Sequence, residues 1–148
     1  MTTLPAATAA EPAARNVELL KQRYARWAET KGSSVDEWMT FLDDNIKFGS
    51  LAGGAAHVAY MNNYSNKDAL RSYFDGLAKN WAMIHYTVDE FVAQGDIVVV
   101  RGNCAWQNRR TQKVCSTPKI DFWRFRDGKA VEYFEYYDTA GVHAAAAD

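Results

Sequence analysis

A chain of 148 residues, 48% of them apolar, is long enough for one domain with a buried core and a ligand cavity, and too short for two such domains. Its formal charge of −1 is spread over scattered residues, and the densest basic group (Arg109, Arg110, Lys113) falls at an expected hairpin tip, so a nucleic-acid footprint is excluded. No stretch reaches the roughly 18 apolar residues of a membrane helix, and no signal-peptide pattern is present, so a cytoplasmic protein with no membrane partner is expected.

Residues 1–14, MTTLPAATAAEPAA, are expected to form a disordered tail. From Arg15 to Glu29, Val17, Leu20, Tyr24 and Trp27 recur at helical spacing, with Tyr24 on the inner face. Ser34 and Glu37 have capping-box spacing and predict a short second helix carrying Trp38, Phe41 and Leu42 before Asp43-Asp44 ends it. Ile46 to Phe48 reads as a short strand. The irregular segment from Gly49 to Asn66, with His57 and Tyr60, has the length of a lid or binding loop. Ser65 and Asp68 predict the start of a third helix with an apolar stripe of Leu70, Tyr73, Phe74, Leu77 and Trp81.

Beyond Trp81 the period changes to two. Strands are predicted over 84–93, 97–107 and 114–126, and Asp127-Gly128 makes a final hairpin. Residues 143–148, including His143, are expected to be a second disordered tail. Helices first and an antiparallel meander after imply an α+β fold: three N-terminal helices packed on a strongly curved, mostly antiparallel sheet, a cone-shaped α+β barrel over residues 15–142. Such a cone encloses a pocket. Cys104 and Cys115 are expected to be reduced thiols.

The final hairpin carries a lone carboxylate among apolar residues on each strand. Asp121 shares a face with Trp123 and Phe125, and Glu135 shares one with Tyr133 and Tyr137. Both faces are aromatic, so alternation alone leaves open which one lines the pocket. The other face is expected to be covered by a second copy of the chain, giving a homodimer through the sheet. A carboxylate flanked by Ile120, Phe122 and Trp123 is costly unless neutral, hydrogen-bonded or functional. No spacing of His, Cys and acids suggests a metal site, and no phosphate-binding glycine loop or nucleophile elbow occurs, so neither metal nor cofactor is expected.

The QRYARW, FLDDNIKF and GDIVVVRG segments and the DFWRFRDGKAVEYFEYYD hairpin resemble the SnoaL-like branch of the nuclear transport factor 2-like superfamily, which includes ketosteroid isomerase. The resemblance runs from about Arg15 to Val142. It implies that Tyr24 is an oxyanion-hole tyrosine and that Asp121 is a neutral carboxylic acid donating beside it, the arrangement for which that isomerase is itself a standard example. The isomerase's general base falls at about Gly49, which cannot abstract a proton. Similarity to the scytalone dehydratase branch implies His85, in Met83-Ile84-His85-Tyr86, as the base, and that branch's partner aspartate maps to Glu29 or Thr30. The limonene epoxide hydrolase set is missing at Gly102 and Cys104, leaving Glu135 as its one counterpart.

The resulting acid/base set is His85 as base, Asp121 and Tyr24 as donors, and Glu135 orienting the histidine, acting as an alternative base, or pairing with Arg101 or Arg124. Cys104, Trp106, Trp123, Tyr133 and Tyr137, with His57 and Tyr60 from the loop, are expected to enclose a small hydrophobic cyclic or aromatic molecule. The function this implies is a cofactor-independent isomerase, lyase or cyclase. The alternative is a non-catalytic ligand-binding or dimerisation module of the same fold.

Overall fold

The computed structural model describes residues 10–148. The first helix, α1 (Ala10–Glu29), buries Leu20, Tyr24 and Trp27 along one face. It begins inside the stretch expected to be a tail, because Ala10, Ala13 and Ala14 favour helix and Glu11 suits the positive end of the dipole. The rest of that expected tail, residues 1–9, lies outside the described residues.

The second helix, α2 (Val35–Met39), is shorter than the sequence predicts. Its capping box does not form. Glu37 turns to Arg26 of α1 instead, at 3.2 Å, and the buried Ser34 Oγ is left without a hydrogen-bond partner. Phe41 and Leu42 therefore leave the helix, and Leu42 opens β1 (Leu42–Ser50). The loop that follows is anchored where Phe48 and Tyr64 exchange two backbone hydrogen bonds of 2.8 Å. Helix α3 (Arg71–Asn80) starts later than Ser65 and Asp68 predict, because Asn66 Oδ1 accepts from Ala69 N at 2.8 Å and holds the approach as turns. Tyr73 and Leu77 are its buried residues, and Trp81 has already become the first residue of β2 (Trp81–Gln94).

The remaining strands are β3 (Ile97–Asn108), β4 (Val114–Arg126) and β5 (Lys129–Tyr136). They form one five-stranded sheet in the order β1-β5-β4-β3-β2, with β1 parallel to β5 and every other pair antiparallel. The sheet is curved but stays open: β1 and β2 are its edges, so the expected cone is a cupped sheet capped by helices rather than a closed barrel. At the β4–β5 hairpin, Asp127 (φ 51°) and Gly128 (φ 78°) are both left-handed, the conformation a two-residue type I′ turn requires.

Two β-bulges in β2, between Met83 and His85 and between Val88 and Glu90, bend its pairing with β3. Gly102 sits opposite the second of them. A Cβ there would lie 2.0 Å from the Thr87 carbonyl oxygen, so only glycine lets the strands approach this closely.

The chain ends in a fourth helix, α4 (Thr139–Ala146), where residues from 143 onward were expected to be disordered. Asp138 caps it by accepting from Gly141 N at 2.9 Å, and Val142, Ala145 and Ala146 are buried. Its free C-terminal carbonyls are taken by the basic β3–β4 hairpin tip: Arg110 donates to Ala146 O, Thr111 to Ala145 O and Lys113 to Ala147 O. The basic cluster thus serves as a C-terminal helix clamp. Among the described residues, no helix is long and apolar enough to cross a membrane.

Candidate active site

The tertiary structure settles which face of the final hairpin is interior. Lys119, Asp121 and Trp123 of β4 and Tyr133 and Glu135 of β5 point into the cup, with Asp121 and Glu135 directly opposite one another. Both carboxyl groups are 2% exposed, so every lone pair needs a donor. Asp121 Oδ2 accepts from Tyr24 at 2.5 Å and from Tyr86 at 3.2 Å; Oδ1 accepts from Tyr133 at 3.0 Å and from the Lys119 ammonium. Glu135 accepts from Tyr73 at 2.9 Å and from Ser50 at 2.6 Å, and lies 3.3 Å from Lys119 Nζ. Tyr133, with one proton, bridges the two acids at 3.0 Å from each.

Lys119 is the hub of this network. Burial works against its charge, but Asp121 and Glu135 outweigh that and hold its pKa well above the ordinary lysine value. Burial first, and the facing carboxylates second, push the phenols of Tyr24, Tyr73, Tyr86 and Tyr133 well above the usual tyrosine range. They stay protonated and can only donate to the acids. Asp121 therefore accepts from all three phenols and lies beside an ammonium, whereas the resemblance implied a neutral donor at this position. Glu135 pairs with neither candidate arginine, since Arg101 binds Glu90 at 2.6 Å and Arg124 binds Asp96 at 3.2 Å.

Above this polar floor lies a cavity of about 100 Å³, walled by Trp27, Trp38, Phe74, Trp81 and Trp106 and closed from the C-terminal side by Val142. A cavity of roughly 150 Å³ accommodates benzene, so this smaller space takes a group no larger than one small ring. Of the residues predicted from sequence, Tyr24, Cys104, Trp106, Asp121, Trp123, Tyr133, Glu135 and Tyr137 all line it.

His85, His57 and Tyr60 do not. His85 is opposite Ala105, between the inward Cys104 and Trp106, and so faces away from the cavity. The bulge at Ile84 inverts the phase of β2, sending Met83 and then Tyr86 inward and carrying His85 out of reach of any ligand atom near Asp121. The expected partner acid is absent too, as Glu29 is exposed and paired with Arg26. His57 lies against His143 of α4, with ring centroids 5.5 Å apart, and Tyr60 accepts from Trp81 Nε1 at 2.6 Å. Gly49 faces the outside, under Phe134, while its inward neighbours are Phe48 and Ser50, neither of them a base.

Sequence reasoning missed Lys119, Tyr86, Tyr73 and Ser50. The signal for Lys119 was present: it shares the parity of Asp121 and Trp123. Tyr86 carried no such signal, because a bulge is invisible to alternation. Among the described residues, no group of three or more His, Cys, Asp or Glu is arranged to hold a metal ion.

Helices packed on the concave face of a mixed sheet, around an acid-bearing aromatic cavity, define an NTF2-like α+β protein. The sequence profile of the SnoaL-like domain matches residues 21–133, and the chain belongs to that family. None of the curated proteins matches it in sequence. Among solved structures it is similar to an NTF2-like protein of unknown function from Burkholderia pseudomallei K96243, with 16% identity and a TM-score of 0.79 over 90% of this chain and 98% of that one. It is similar to TerC co-crystallised with polyporic acid, with 19% identity and a TM-score of 0.75 over 89% and 98%. A SnoaL-like polyketide cyclase candidate from Jannaschia sp. CCS1 aligns at 13% identity with a TM-score of 0.74 over 100% and 99%.

The site makes stability fall on the alkaline side. Burial pushes the Cys104 thiol up to about 11, so its contribution is fully present below the ordinary thiol pKa of about 8.5 and is lost as pH rises through 11. At 1.36 kcal/mol per unit this is on the order of 3 kcal/mol. Lys119 and the buried tyrosines, all with raised pKa values, act in the same direction at higher pH. Urea unfolding is expected to give flat stability from pH 7 to 8.5 and a steep decline by pH 11; a flat profile to pH 11 contradicts the burial assigned to Cys104.

Proposed function

We propose that the cavity is the active site of a cofactor-independent acid/base enzyme acting on a small cyclic substrate of about one ring. The observation that carries this reading is a carboxylate, Asp121, whose Oδ2 is reached by two protonated phenols at the floor of an apolar cavity. Tyr86 makes the longer contact of the two, 3.2 Å. If it turns its O–H to a substrate carbonyl, a lone pair on Asp121 Oδ2 is freed to take a proton from the adjacent carbon. The electron pair of the broken C–H bond then moves into an enolate whose oxygen accepts from Tyr86, while Tyr24 keeps its hydrogen bond to Asp121. Return of the proton at another carbon is an isomerisation, loss of a leaving group is an elimination, and attack on a second carbonyl is a cyclisation. The shared first step is tested by carbon-bound hydrogen exchange with deuterated water, followed by NMR on small cyclic ketones.

The second reading, a non-catalytic binding module, is favoured by the completeness of the network: both oxygens of Asp121 already have donors. Absence of exchange in every bound ketone selects it. The free thiols of Cys104 and Cys115 suit a cytoplasmic setting.

A homodimer through the outer sheet face is part of the same proposal. Val92, Val99, Phe122 and Phe134 are successive cross-strand partners on β2 to β5, so they form one apolar row across the face. Val92 remains 57% exposed in the single chain. Sedimentation at micromolar concentration is expected to give twice the 16.7 kDa chain mass, and a monomer there refutes the dimer.

A further inference from the structure

We infer that the cavity takes a small quaternary ammonium, a cation whose charge is shielded by methyl groups. This rests on the reading of the cavity as a ligand site and adds a ligand class to the cyclic substrates proposed above; it does not depend on turnover. Charge is the first reason. Among the residues lining the cavity, Lys119 is the single basic group, set against two carboxylates, Asp121 and Glu135. One negative charge is left over in a space otherwise lined by apolar and phenolic groups.

Hydrogen bonding is the second reason. Tyr24 and Tyr86 occupy Asp121 Oδ2, Ser50 occupies Glu135 Oε2, and Tyr73 is shared between both oxygens of Glu135. Lys119 and Tyr133 take Asp121 Oδ1 and Glu135 Oε1. A primary ammonium has N–H groups that need acceptors, and it would have to displace these donors. A quaternary one needs none, and still answers the uncompensated charge.

The walls are the third reason. The rings of Trp38, Phe74 and Trp106 stand 6.0, 6.1 and 6.3 Å from Trp27, inclined to it by 77°, 72° and 51°. These four aromatic residues all line the cavity, so its wall is aromatic on more than one side, and aromatic faces attract methylated ammonium groups. The protein seats its own cation in this way, with Lys119 Nζ 5.7 Å from the Tyr86 ring and 5.8 Å from that of Tyr133.

The test is calorimetric titration of the full chain with tetramethylammonium, neutral tert-butanol and anionic pivalate, three probes of similar bulk. Tetramethylammonium is expected to bind at least about tenfold more tightly than tert-butanol, and pivalate most weakly. Glu135→Gln, which balances the charge, is expected to reduce the cation's advantage to about threefold or less. The wild-type comparison of the three probes decides the question by itself where the variant fails to fold. Equal binding of cation and alcohol, or no binding of the cation, overturns the inference. Deuterium exchange in a neutral ketone without cation preference overturns this inference alone, whereas cation binding without exchange in any ligand overturns the catalytic reading alone.

Discussion

Replacing Lys119 with methionine is expected to destabilise the protein by about 3–5 kcal/mol, the usual cost of leaving a buried charge without its partner. The side chain is 12% exposed and those of Asp121 and Glu135 are 3% exposed, so water cannot stand in for the lost ammonium. For a domain of this size the loss corresponds to a fall in Tm of roughly 10–20 °C. Methionine keeps most of the volume, which makes the electrostatic loss the dominant change. The triple variant Lys119→Met, Asp121→Asn, Glu135→Gln removes all three charges, and is expected to recover a large part of the stability. Urea denaturation of the single and triple variants checks both statements. A single variant within about 1 kcal/mol of wild type removes Lys119 from its role as hub, since that is the size of an exposed ion pair.

Asp121→Asn is expected to reduce deuterium exchange by about 10²- to 10⁴-fold, the range for loss of a positioned general base. The fold should survive this change better than the lysine variant, because Lys119 then faces Glu135 alone and the charges match one to one. That separation makes the result interpretable: a folded protein with a slow reaction, read by circular dichroism and NMR exchange on the same sample. His85→Ala is the internal control, since its side chain is on the far face of β2, and it should exchange at the wild-type rate. An Asp121→Asn protein within about threefold of the wild-type rate removes Asp121 from the proton transfer.

Most of the architecture was legible because it follows from local pattern. The helical spacing of Leu20, Tyr24 and Trp27, the period of two after Trp81 and the Asp127-Gly128 turn each correspond to an observed element. Their errors are just as physical. A capping box is a local rule, and Glu37 broke it because Arg26 on another helix competed for the carboxylate. The Ala-rich end was expected to be disordered because its sequence lacks a strong apolar stripe. It folds because Arg110, Thr111 and Lys113, more than thirty residues away in sequence, take its carbonyls.

The site divides in the same way. By its own sequence the chain determined the family, the α+β class and the acids and aromatics of the last hairpin, since a period of two and a two-residue turn assign each side chain to a face. Tertiary structure decided which face is the interior, and what the two acids meet there. Tyr24 and Asp121 are 97 residues apart and touch, whereas His85 was lost from the cavity through one extra residue in a strand. A bulge depends on how two strands pair, and the charge state of a buried carboxylate depends on the cation beside it. Both are properties of contacts, which a pattern along one strand does not contain.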